Sequence, residues 1–338
     1  MTGARGTASR TGNRWHGTGT AMAAGPAVEE RRSAHSTAHS FREIEMTAPY
    51  RLAHAAPAAQ PDTIRFAALG DSVTEGVGAP VDSGWCGWPA LLAPALSTDP
   101  ELVEHRNLAI SGALSSDLIN RQLPAALALR PHLVAVVAGG NDTLRANFDI
   151  ARTAAALDTA LRELSAAGSV LLTACLPDPG RLLRLPGPLA RPLARRMNAV
   201  NTVVHELSRR HEAIHLHLAD LPWLDHRPLL SADRLHPSPA GHLLIAREFH
   251  SCLAAAGHPV GPPPGAVLVP PAPGRAADLW WMATRGTAWI ARRSVDLIPG
   301  LLALATAETV QLLRGRSQAL DAEAQARAWA ALAALPQD

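Results

Sequence analysis

A chain of 338 residues, 47% of them hydrophobic, is long enough to bury a full core in one or two folded units, which excludes disorder throughout. Its net charge of +2 comes from 31 basic against 29 acidic residues, and every basic one is Arg. These arginines are scattered or paired (Arg195 and Arg196, Arg209 and Arg210, Arg292 and Arg293) and form no stripe with interleaved aromatics, so nucleic acid is not an expected partner.

Residues 1–61 are rich in Gly, Ala, Ser, Thr, Arg and His without helical or strand period, and are expected to be disordered. Met22 and Met46 lie within them as alternative starts to Met1. The segment holds no apolar run of the kind a secretory signal needs. The apolar stretch at 297–307 is too short to span a bilayer. Cys86, Cys175 and Cys252 are odd in number and widely spaced, which fits neither a disulfide framework nor a zinc motif. A reducing, cytoplasmic setting is the expectation.

Between residues 62 and 258, short apolar runs alternate with segments of helical period. Strands are expected at 63–69, 105–110, 132–138, 169–175 and 213–219. Their nearly continuous apolar character suits parallel strands covered on both faces. Helices are expected around 87–97, 114–129, 149–167, 188–211 and 239–256, the last with Ser238 as N-cap and Pro239 at its first position. The alternation predicts a doubly wound α/β layer fold with ligands at the carboxyl ends of the strands. A Pro-rich linker follows at 259–275, then a helical tail at 276–338.

The strand ends are where unusual residues collect. The first strand runs into Gly70-Asp71-Ser72, the second into Ser111-Gly112, the third into Gly139-Gly140-Asn141-Asp142, and Asp233-Arg234-Leu235-His236 precedes the last helix. Taken alone, Ser72-Val73-Thr74-Glu75 fits a capping box, with Ser72 a helix cap and nothing more. A phosphate loop is excluded because its Lys is absent. Acyl transfer by a serine needs a base, a group orienting that base, and donors for an oxyanion. His236 supplies the base and Asp233 its partner, while the backbone N–H groups of Ser72 and Gly112 and the amide of Asn141 are the candidate oxyanion donors. Asp71 is expected to order the turn.

Four blocks, GDSVTEG (70–76), NLAISGA (107–113), GGND (139–142) and DRLHPSPAGH (233–242), occur in order, and with them the chain resembles the SGNH (GDSL-type) hydrolases. The resemblance implies a three-layer α/β/α flavodoxin-like fold with a five-stranded parallel sheet of order 2-1-3-4-5. It also implies Ser72 as nucleophile, His236 as base, Asp233 as its partner, an oxyanion hole of Ser72, Gly112 and Asn141, and no metal or organic cofactor. The expected function is that of a serine esterase or lipase hydrolysing a small-molecule carboxylic ester through an acyl-enzyme. An acyltransferase or thioesterase on the same site, and a non-catalytic flavodoxin-like binding module, are the alternatives. The ordinary α/β-hydrolase elbow needs G-x-S-x-G, whose second Gly this chain lacks.

Other features have weaker readings. Trp85 and Trp88 line the site or belong to the core, with core preferred. Asn141-Asp142 could also cap a helix. His215 and His217, ending at Asp220, raise a metal site with His242, but no further ligand at metal spacing accompanies them and ordinary strand histidines are favoured. The segment 177–196 reads as an irregular lid. The tail, with Trp280, Trp281 and Trp289, reads preferentially as amphipathic helices packed on the hydrolase domain, and otherwise as a peripheral membrane contact.

Overall fold

The computed structural model describes residues 63–82, 84–265, 300 and 302–336. The expectations for residues 1–61, for most of the Pro-rich linker and for Trp280, Trp281 and Trp289 fall outside the described residues.

Five parallel strands form the sheet: β1 (Ile64–Gly70), β2 (Val103–Asn107), β3 (Leu133–Val137), β4 (Val170–Ala174) and β5 (Ile214–Leu216). β1 pairs with β2 on one side and β3 on the other, β3 with β4, and β4 with β5, so the order is β2-β1-β3-β4-β5. This is the flavodoxin-like 2-1-3-4-5 sheet. β2 begins two residues before the apolar run at 105–110, and the chain beyond it still runs beside β1, with the Leu108 and Ile110 N–H groups donating to the Ala68 and Gly70 carbonyls.

Period-two alternation divides the apolar residues between two layers. Ala67, Leu69, Val134 and Val136 face α3 (Ser115–Leu129, with a π turn at Leu118–Gln122), α4 (Ile150–Ala166) and α6 (Gly187–Arg210). Phe66, Ala68, Leu133, Ala135 and Val137 face α2 (Trp88–Leu92) and α7 (Pro239–Ala255) on the opposite side. Trp88 stacks on Phe249 with ring centroids 4.6 Å apart, so it is a core residue, whereas Trp85 is exposed in a two-residue hairpin. Ser238 caps α7 by accepting from the Gly241 N–H, as its sequence position predicts.

The segment 177–196 is not irregular. Its prolines start helices more than they prevent them. Pro179 is the first residue of the short α5 (Pro179–Leu182), Pro188 lies in the first turn of α6, and only Pro192 sits inside that helix.

The sheet's outer strand β2 is polar, with Glu104 and Arg106 exposed and 3.7 Å apart, and the other outer strand, β5, is three residues long.

After helical residues 302–313 (α8), α9 (Ser317–Ala333) packs on α6 and α4, placing Ala328, Ala331, Leu332 and Leu335 in the same hydrophobic cluster as Leu161, Val203 and Leu207. Arg195 of α6 binds Glu308 through two hydrogen bonds (2.9 and 3.2 Å) and Asp321 through a third (2.6 Å), with the Glu308 side chain only 2% exposed. The Arg195 guanidinium holds the Glu308 carboxyl below the usual range. Glu308→Ala leaves Arg195 with Asp321 as its remaining partner and removes two charged hydrogen bonds, so it is expected to lower the unfolding free energy by about 2 kcal/mol. Urea denaturation measures this, and an unchanged midpoint would mean that the pair does not hold the tail. Among the described residues, no helix is long and apolar enough to cross a membrane.

Candidate active site

The site begins where β1 stops. Gly70 has φ +149°, and a Cβ there would lie 2.2 Å from the Val137 carbonyl oxygen, so only glycine lets β1 turn while still paired with β3. Buried Gln122 fixes this residue from both sides: its Oε1 accepts from the Gly70 N–H (2.8 Å) and its Nε2 donates to the Gly70 carbonyl (2.9 Å). Nothing local in the sequence marks Gln122, because the bond spans two separate elements.

The next residue is the N-cap of α1 (Ser72–Glu75). It is Asp71, whose Oδ1 accepts from the Val73 N–H at 3.1 Å. The capping-box reading of Ser72 is therefore corrected by one position, since Ser72 is the first helical residue. Glu75 does not reach back to the cap either. Its Oε2 accepts from the Ser111 N–H (2.8 Å) and from the Ser111 hydroxyl. Freed from capping, the Ser72 Oγ lies 2.8 Å from His236 Nε2, and His236 Nδ1 lies 2.6 Å from Asp233 Oδ2.

Asp233 organises its own turn. Its Oδ1 accepts from the Leu235 and His236 N–H groups (2.9 and 3.0 Å) and from the Ser231 hydroxyl (2.7 Å), and between them Arg234 adopts a left-handed φ of +60°. Burial by itself raises the Asp233 carboxyl, but hydrogen bonding and charge from His236, aided by Ser231, hold it at about 2. The turn is pressed against the loop after α1. A Cβ at Gly78 (φ +103°) would lie 2.0 Å from the Pro237 carbonyl oxygen.

The three candidate oxyanion donors surround the same turn and differ in their engagement. Among the described residues, neither the Ser72 nor the Gly112 backbone N–H donates a hydrogen bond within the chain. Gly112 has φ +78°, and its neighbours are tied down: Ile110 to Gly70, Ser111 to Glu75, and the Ala113 carbonyl to Asn141 Nδ2 (3.1 Å). Asn141 Nδ2 also donates to Asp71 Oδ2 at 3.2 Å, so both of its amide protons are engaged, through long bonds. Asp142 caps no helix of its own. Its carboxylate accepts from the Ser115 N–H and hydroxyl, closing the start of α3.

Two more buried groups frame the site. Burial pushes the Asp71 carboxyl up to about 6, against the Val73 hydrogen bond and the nearby His236. His242 is fully buried and held neutral by that burial, down at about 4. Its Nδ1 accepts from the Trp88 N–H and its Nε2 donates to the Val77 carbonyl. His242 therefore ties α7 to α2 and to the loop after α1, and does not join His215 and His217. A groove of about 330 Å³ opens at the carboxyl ends of β4 and β5, between 177–182 and 219–225, and none of Ser72, Asp233 and His236 lines it.

The five-stranded parallel sheet thus brings Ser72, His236 and Asp233 together at its carboxyl edge. The model of the GDSL-like Lipase/Acylhydrolase family matches residues 68–244, more than half of the chain, and the protein belongs to this family, the SGNH hydrolases. Two of the solved structures similar to it illustrate the likeness. An α/β hydrolase from the metagenome of Lake Arreo, Spain, is 24% identical, over 57% of this chain and 95% of its own, with a TM-score of 0.46. An acetylxylan esterase from Geobacillus stearothermophilus is 22% identical, over 57% and 94%, also with a TM-score of 0.46. No curated protein matches the chain.

Proposed function

We propose that the protein hydrolyses a carboxylic ester through an acyl-enzyme on Ser72, and the observation that carries this is the unbroken row Asp233, His236, Ser72. The row also fixes the protons. A carboxyl held near 2 is ionised at neutral pH and can only accept, so Nδ1 of the neutral imidazole carries the hydrogen and Nε2 presents a lone pair to the Ser72 hydroxyl. Ser72 Oγ attacks the ester carbonyl as its proton passes to Nε2. His236 then returns that proton to the leaving alkoxide, and water repeats the sequence to release the acid.

The developing oxyanion meets the Ser72 and Gly112 N–H groups, which are free to donate, and Asn141, which must exchange one existing bond for the new one. That exchange favours a donor whose present bonds are long, as they are here. Asn141→Ala is expected to lower kcat by about 10²-fold with KM little changed. Unchanged turnover would remove Asn141 from the mechanism.

The test of the whole reading is hydrolysis of p-nitrophenyl esters from acetyl to palmitoyl, followed by mass spectrometry after a fluorophosphonate. One adduct on Ser72 together with turnover of at least one ester is the expected result. A folded protein that turns over no ester and takes no label overturns it.

A further inference from the structure

Strand β5 and the residue after it place His215 and His217 two positions apart, hence on one face. β4 lies alongside in register, with Thr173 beside His215 and Ala174 beside Leu216. Cys175 follows on the same face as Thr173, with its N–H on the Leu216 carbonyl at 3.3 Å. Over this face α6 lays His205 and, one turn on, Ser208. The ligating atoms of Cys175, His205, His215 and His217 consequently all lie within 4.8 Å of one another, and the three imidazole centroids are 4.8–5.2 Å apart. Sequence spacing conceals this group because its four members come from three elements.

The hydrogen bonds behind His215 fix its tautomer. The Ser208 hydroxyl donates to the Val204 carbonyl (2.6 Å), which spends its one proton. The 2.7 Å contact between Thr173 and Ser208 therefore takes its proton from Thr173. With that proton gone, Thr173 Oγ1 can only accept from His215 Nδ1 at 3.0 Å. Nδ1 thus carries the hydrogen, and Nε2 is left with a bare lone pair, buried amid the other three groups and without a hydrogen-bond partner among the described residues. A histidine held by a second polar group at one nitrogen and open at the other is how proteins orient metal ligands.

We propose that Cys175, His205, His215 and His217 bind one zinc-class divalent ion, closing the end of β4, the edge strand β5 and α6 into a single four-coordinate staple separate from the ester-hydrolysing row. One thiolate and three neutral imidazoles form a closed tetrahedral donor set of the structural kind. Metal–sulfur bond formation releases the thiol proton to solvent. Ligand atoms in tetrahedral zinc stand about 3.3–3.8 Å apart. Contraction to that spacing falls on His205 and His217, which are exposed, while Cys175 is buried and His215 is fixed by its hydroxyl pair. Asp220 Oδ2, 4.0 Å from His217 Nδ1, offers the negative charge that such a cationic centre draws near.

The experiment uses the untagged full chain, stripped with chelator and titrated with zinc and, separately, with cobalt. One retained zinc per chain is expected, with a rise in Tm of about 5–10 °C at a hundredfold excess over Kd. The cobalt form should show tetrahedral d–d bands and a thiolate charge-transfer band that Cys175→Ser removes. His205→Ala and His217→Ala, both at exposed positions that leave the core intact, should each weaken binding at least about tenfold. Zinc binding undiminished in the His205→Ala/His217→Ala double variant, a cobalt spectrum without the thiolate band, or no retained metal overturns the assignment.

Discussion

Ser72→Ala is expected to lower kcat on p-nitrophenyl acetate by about 10⁴-fold or more while leaving stability within about 0.5 kcal/mol of the parent. The two halves of this expectation separate the two roles a serine can have at this turn. Removing a helix cap costs about 1 kcal/mol and nothing in turnover. Here the cap is Asp71, and among the described residues the Ser72 hydroxyl is bonded to His236 alone, so deletion should spare α1 and remove only the attacking oxygen. Steady-state kinetics and urea denaturation on the same preparation decide it. Turnover within tenfold of the parent would end the acyl-enzyme reading.

Asp233→Asn is the second large effect, a fall in kcat of about 10³–10⁴-fold, because a neutral amide no longer compels the Nδ1 proton and the His236 lone pair turns away from Ser72. It has a thermodynamic signature as well. Asp233 titrates at about 2 in the folded protein against an ordinary 3.8, so the stability it contributes is fully present above about pH 4 and is lost as pH falls toward 2. The amount is on the order of 2 kcal/mol. Asp71 runs the other way in a different window. Its folded value of about 6 lies above 3.8, so the native state gains stability as pH falls from 6 toward 4 and this buried carboxyl takes up its proton. Denaturation from pH 2 to 5 should therefore show a loss at the acid end that Asp233→Asn lacks. Equal acid slopes in the two proteins would assign that loss to another group.

Much of the fold was legible because burial on both faces leaves a plain trace. Leu133–Val137 is apolar at every position and fully buried, and the helices at 115–129, 150–166, 187–210 and 239–255 begin and end within one residue of their expected bounds, while α2 stops at Leu92, short of 97. The site was legible because the topology delivers its parts to one edge, where Gly-Asp-Ser, Ser-Gly, Asn-Asp and Asp-x-x-His each follow a strand or precede a helix. The unread features depend on partners far apart in sequence. Asp71 and Ser72 are equally good cap formers, and only the turn at Gly70 decides between them. Gln122 looks like any polar helical residue until its amide meets the Gly70 backbone. The group around His215 and His217 is hidden in the sequence because Cys175 and His205 come from other elements. The segment 177–196 reads as irregular in the sequence, yet the conformation that Pro179 and Pro188 impose is that of a helix's opening turn.

The two outer strands have a consequence for the chain's behaviour at high concentration. An open sheet exposes a row of unsatisfied backbone donors and acceptors along each margin, onto which another molecule's strand can add. On one margin, Glu104 and Arg106 carry charges that an incoming apolar strand would have to desolvate. On the other, Ile214–Leu216 is only three residues long, so any ladder added to it would be short. The molecule thus ends its sheet with charged side chains on one side and with brevity on the other, two devices that disfavour edge-to-edge pairing.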